Sequence, residues 1–199
     1  MIKKELMKPG ILLYFGLLAP FAFWTTTIIC GLMIEDYNHF KWLVSELGAL
    51  STPTQELFTI GLVLSAILNI FFIVGLWKIC RKHQLSLAPV LLLMLYSFIA
   101  GPAMFPMPLQ WHGLSGLPFP LIILSPLVAL VVWSKKEKLL KIRTTAIISF
   151  SIMLLGFLIF FPSILNEYFG LKQRFLYAGW TIWSVSLVIS LLKVSKLKT

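Results

Sequence analysis

Apolar residues fall into six runs of about twenty, separated by short polar connections, the primary signal of membrane-spanning helices. The runs are Gly10–Met33, Glu56–Trp77, Leu87–Phe105, Ser115–Trp133, Thr144–Leu165 and Phe175–Leu192. The first follows Lys3, Lys4 and Lys8. It is longer than the apolar region of a secretory signal and no small-residue cleavage pattern follows it, so it reads as an uncleaved anchor. Pro20, Pro102, Pro126 and Pro162 are expected to kink their helices or mark helix ends, since each lacks an amide hydrogen and crowds the preceding turn. On the second run Gly61, Ser65 and Asn69 recur every fourth residue, a face suited to close helix packing.

Composition supports the same reading. Of 199 residues 59% are hydrophobic and 12% charged, with a mean hydropathy of +0.93; soluble domains run at about 45–50% apolar. A soluble chain of this size buries only about 70% of its surface, which would leave large apolar patches in water. The bilayer is therefore the solvent for most of the chain. The fold expected is all-α, a six-transmembrane-helix bundle forming a single domain over residues 1–199, with no soluble domain and no internal repeat.

The formal charge of +10 is distributed as a topology signal. Lys3, Lys4, Lys8, Lys78, Arg81, Lys82, Lys135, Lys136, Lys138, Lys141, Arg143, Lys193, Lys196 and Lys198 fall on the N-terminal side of the membrane. Lys41, Lys172 and Arg174 fall on the other, together with Glu35, Asp36, Glu46, Glu56 and Glu167. The positive-inside rule puts both termini in the cytoplasm of a cell (inner) membrane protein. The basic runs are too short to suggest nucleic acid, and membrane lipids are the expected partners. Cys30 and Cys80 fall at opposite faces and cannot pair.

The three outer connections hold the unusual residues. In the first, Tyr37, Phe40, Val44 and Leu47 recur at helical spacing before Gly48, predicting an interfacial helix over Asp36–Gly48 with Trp42 in the aromatic belt. Thr52-Pro53-Thr54-Gln55 fits a helix start with Thr52 as N-cap and Pro53 at the first position. The second connection, Phe105 to Gly113, sets His112 beside Trp111 in a proline-stiffened loop. The third ends in Lys172-Gln173-Arg174, where a cation against the positive-inside bias suggests an acidic or phosphate partner for Arg174.

Ser45-Glu46-Leu47-Gly48 before a long apolar helix, Phe105-Pro106 followed by His112, and Gly170-Leu171-Lys172-Gln173-Arg174 before the last helix resemble the prokaryotic multi-pass membrane family catalogued as domain of unknown function 998. The resemblance covers most of the chain and implies the architecture. It carries no established activity. An acidic residue often follows the Phe-Pro pair in that family; Met107 stands there in this chain, so a metal or acid/base role needing that carboxylate does not carry over.

Two functional classes follow. One is a binding protein whose outer mouth takes a lipid, a small hydrophobic ligand or a membrane-protein partner, with Trp42, Glu46, Trp111, His112, Gln173 and Arg174 as binding residues. Here Glu46, His112 and Arg174 are expected to converge in a pocket closed by Trp42 and Trp111. The other is an outer-leaflet lipid hydrolase or transferase, with Ser45 or a water as nucleophile, His112 as base and Glu46 or Asp36 as its partner. A metal-assisted version would draw on His39, His112 and Asp36, although no HExxH-type pair is present. No cofactor is identified. Coupled transport is disfavoured because no charged residue falls near mid-membrane.

Overall fold

The computed structural model describes residues 9–133 and 139–195. Lys3, Lys4, Lys8, Lys135, Lys136, Lys138, Lys196 and Lys198, on which much of the orientation argument rests, lie outside the described residues. Within them the chain is helical without strands. Five helices are long and apolar enough to cross a membrane: α1 (Pro9–Met33), α2 (Gln55–Lys82), α4 (Trp111–Val132), α5 (Ile142–Phe160) and α6 (Phe169–Ser195). A sixth apolar helix, α3 (Ala88–Met104), is shorter. Its central Met94–Ile99 stretch is a 3-10 helix, which rises about 2.0 Å per residue instead of about 1.5 Å. The whole segment therefore reaches about 28 Å, close to the hydrocarbon thickness of about 30 Å.

Helix boundaries differ from the expected ones for local reasons. α2 runs on to Lys82, with Glu56 in its first turn and Arg81 and Lys82 in its last, each charge favourable to the helix dipole. It begins at Gln55, so neither Thr52 nor Pro53 holds the expected position. Thr52 and Thr54 hydroxyls donate instead to the Leu47 carbonyl, and Gln55 Oε1 accepts from the Ser51 amide at 3.3 Å. α5 stops at Phe160 rather than Leu165, just ahead of Pro162. α6 begins at Phe169 rather than Phe175, because the first connection caps it: Gly170 N–H donates to the Lys41 carbonyl at 3.1 Å and Leu171 N–H to that of Phe40 at 2.8 Å.

Small residues govern the α1/α2 pairing. A Cβ added at Gly16 would come within 2.6 Å of the Phe72 ring, at Gly75 within 2.7 Å of Leu12, and at Gly61 would strike the Thr26 side chain. These pairs run antiparallel. On the Gly61 face, Ser65 donates to the Ala19 carbonyl at 2.8 Å and so accepts from the Tyr96 hydroxyl at 2.6 Å. One turn on, Asn69 Nδ2 donates to Ser97 Oγ at 3.1 Å. The predicted packing face thus joins α1, α2 and α3.

The centre of the bundle is aromatic. Tyr96 stacks on Trp180 with centroids 3.5 Å apart, Phe23 lies 4.3 Å from Tyr177, and Phe119 stacks on Tyr177 at 5.1 Å. Trp183 Nε1 donates to Ser125 Oγ, which donates to the Pro89 carbonyl, tying α3, α4 and α6. Outward-facing positions are large and apolar, Leu32 being 81% exposed and Val131 70%. In water that surface would be a liability, and in a bilayer it is the lipid face.

Candidate functional site

The connections 34–54, 105–110 and 161–168 gather at one end of the bundle. Leu50 N–H donates to the Met107 carbonyl at 2.8 Å, joining the first to the second. Lys41 Nζ and Glu167 Oε2, 3.1 Å apart and both well exposed, join the first to the third; such an exposed pair adds little stability. The expected interfacial helix over Asp36–Gly48 does not form. Asp36 takes a positive φ of 58°, and Asn38 Oδ1 accepts from the Phe40 and Lys41 amides, a turn that competes with helix. Only Val44–Gly48 is helical, as one 3-10 turn, in which Glu46 Oε2 accepts from the Leu43 amide at 2.6 Å. Val44 and Leu47 are buried against the bundle, and Phe40 is exposed.

Arg174, one turn into α6, clamps this connection. Its Nη1 donates to the Trp42 carbonyl at 3.0 Å and the Gly170 carbonyl at 3.1 Å. Its Nη2 donates to Tyr37 Oη at 2.9 Å and His39 Nδ1 at 3.0 Å. A guanidinium can only donate, so His39 must present Nδ1 as an acceptor and carry its proton on Nε2. Burial lowers the His39 pKa, and the Arg174 charge lowers it further. Burial raises the Tyr37 phenol, against the opposing pull of Arg174. Gly170 makes the crossing feasible, since a Cβ there would strike the Trp42 carbonyl.

Beside the clamp is a cavity of about 240 Å³. Val44, Ser45 and Gly48 form one wall, Phe58, Leu62, Ile99 and Pro102 a second, and residues from His112 to Pro120 a third. Gln173 and Tyr177 of α6 complete it, so the aromatic cluster is its floor. Gly116 lets α4 approach α3, because a Cβ there would sit 2.8 Å from Pro102. Four polar side chains line the cavity, the Tyr177 phenol among them. Gln173 Oε1 accepts from the Val44 amide at 2.6 Å, which leaves its NH₂ as donor. His112 Nδ1–H donates to the Phe105 carbonyl at 2.9 Å, since a carbonyl can only accept, and Nε2 is left as acceptor. Ser45 supplies a hydroxyl.

Ser45, His112 and Gln173 therefore meet on one cavity, while Glu46 and Arg174 do not line it. Glu46 Oε2 accepts from the Leu43 amide and Arg174 is engaged in the clamp. Trp42 and Trp111, both well exposed, do not close it either. His39, His112 and Asp36 are not brought together: His39 faces Arg174, His112 the Phe105 carbonyl, and among the described residues no group of three or more His, Cys, Asp or Glu side chains forms a cation site. Sequence reasoning missed Tyr37 as a polar partner and Phe119, Pro120 and Tyr177 as cavity walls, residues that read as ordinary bundle filling.

A bundle of apolar helices with large lipid-facing side chains and charges held toward the helix ends is a polytopic α-helical membrane protein. The chain belongs to the family described as Protein of unknown function (DUF998), whose model matches residues 17–190, from α1 into α6. Comparison with curated proteins and with solved structures found no match.

Proposed function

We propose that this protein is a six-span cell-membrane protein, with both termini in the cytoplasm, that binds a lipid or small hydrophobic molecule in the cavity beneath its outer connections. The observation that carries the reading is the cavity itself: mostly apolar walls, Phe119 and Tyr177 of the aromatic cluster, and four polar side chains from three separate elements. The reach of α3 supports the sixth span. Lys78, Arg81, Lys82, Arg143 and Lys193 at the opposite end support the orientation. Arg174 serves by holding the Val44–Gly48 wall in place rather than by touching the ligand.

The test is lipid retention. Leu117 lines the cavity from an exposed position, so Leu117→Trp fills its mouth without crowding the core. Native mass spectrometry of wild type released from mild detergent should show a retained lipid, and the variant should lose it. Equal retention in both would refute the site.

A second reading, an outer-leaflet lipid hydrolase or transferase, is favoured by the shared placement of Ser45 and His112. The bond from His112 Nδ1–H to the Phe105 carbonyl fixes the tautomer of the neutral imidazole, with Nε2 as the nitrogen that would take a proton. Glu46 would not be its orienting acid, because the Phe105 carbonyl holds His112 Nδ1–H and Glu46 does not line the cavity. Ser45→Ala that abolishes turnover while retaining lipid would favour the enzyme.

A further inference from the structure

A second cavity, of about 290 Å³, adjoins the first between α4, α5 and α6. Phe119, Pro120 and Gln173 line both, so these three residues form a shared partition. Beyond it the second cavity is bounded by Gly156, Phe157, Ile159, Phe160 and Leu176, all apolar. Its two membrane-side walls are the irregular parts of their helices: Phe119–Ile123 of α4 and Phe157–Phe160 of α5 are 3-10 turns. Phe160, at the rim, is 68% exposed toward the lipid. The polar cavity thus has an apolar annex on the bilayer side.

The chemistry of the walls selects the headgroup. Among the described residues neither cavity is lined by Asp, Glu, Lys or Arg. The two nearby cations are occupied, Arg174 in the clamp and Lys172 by the Phe161 carbonyl at 3.2 Å and the Phe169 ring at 4.6 Å. Neither cation lines a cavity wall, so a phosphate or carboxylate would be desolvated there with no cation in direct contact, a costly arrangement. What the site offers is an acceptor on His112, donors on Gln173, and hydroxyls on Ser45 and Tyr177 that do both, a set matched by neutral hydroxyl and ester groups. The two cavities together fall in the lower half of the range for small-molecule sites, which suits one chain rather than two.

We propose that the ligand is an uncharged single-chain amphiphile of the monoacylglycerol or long-chain alcohol class. Its hydroxyl-bearing head lies among Ser45, His112 and Gln173, and its chain passes Phe119 into the cleft between α4, α5 and α6. This deepens the binding reading above and rests on it.

The experiment compares probes with one oleoyl chain and different heads, namely monoolein, oleate and 1-oleoyl lysophosphatidate, titrated onto the full-length protein in detergent with native mass spectrometry as readout. Monoolein is expected to bind at least about tenfold more tightly than either anion, tenfold being about 1.4 kcal/mol. His112→Ala and Ser45→Ala should each narrow that preference, and Leu176→Trp, which fills the annex, should weaken all three probes together. If Leu176→Trp lowers folded yield, Phe157→Trp on the facing wall replaces it. Anions binding as tightly as monoolein would overturn the headgroup assignment and leave the binding reading standing. Binding of no probe would overturn both.

Discussion

Replacing Arg174 by alanine should release the first outer connection from α6 while leaving the bundle folded. The side chain is buried and donates to the Trp42 carbonyl, Tyr37 Oη and His39 Nδ1 across the interface, besides the Gly170 carbonyl on its own helix. A hydrogen bond to a charged group is worth about 1.5–3 kcal/mol, but these share one guanidinium and do not add. Tyr37 keeps its bond to the Leu43 carbonyl, and half-buried His39 can turn to water. The Trp42 carbonyl is left with only a long 3.4 Å contact from the Tyr37 hydroxyl. Removing the charge also removes its own desolvation cost, so the net loss should be about 2–4 kcal/mol. That energy should appear locally, at the Gly170 and Leu171 amides bonded to Lys41 and Phe40. Hydrogen exchange at those amides should quicken by about 30- to 1000-fold, each tenfold being about 1.4 kcal/mol. Arg174→Lys should fall between, because an ammonium cannot reproduce the fork. Unchanged exchange in the alanine variant would refute the clamp and free Arg174 to serve a ligand.

Three further outcomes follow from the same geometry. The folded-state His39 pKa lies below the ordinary 6.5, so the bond it accepts from Arg174 is present above that value and lost as pH falls through the depressed one; thermal melts should show falling stability below about pH 6.5, and His39→Gln, which can still accept, should flatten that step. Gly61→Ala should destabilise by about 1–3 kcal/mol through its clash with Thr26, and Thr26→Ala in the same chain should restore part of the loss in a detergent melt. Reporters fused after Lys198 and inserted near Lys138 should both be cytoplasmic; either one appearing outside would overturn the six-span topology, and both outside would move the cavity to the other leaflet.

Most of the bundle was legible because membrane helices announce themselves by length and apolarity. The Gly61, Ser65, Asn69 seam was legible too, since small residues at helical spacing have one good use. The first outer connection was misread for a reason that can be stated. Tyr37, Phe40, Val44 and Leu47 carry a helical period, yet Asn38 offers its own side chain to two following amides and wins locally. The start of α6 was missed because its capping carbonyls come from Phe40 and Lys41, far away in sequence. At the site, the residue types Ser45, His112 and Gln173 were legible, and their convergence depends on how five elements pack. Glu46 and Arg174 looked functional because charges near a membrane need partners; the partners proved to be the Leu43 amide and the backbone and side chains of the connection itself.

The most direct measurement is a cryo-electron microscopy structure of the protein in lipid nanodiscs, enlarged by a bound antibody fragment, at a resolution that separates lipid from side chain. The account predicts elongated density with one end among Ser45, His112 and Gln173 and the other running past Phe119 toward Phe157 and Leu176. Side chains of the chain itself filling that space, or a Val44–Gly48 turn withdrawn from α6 so that no cavity exists, would contradict it.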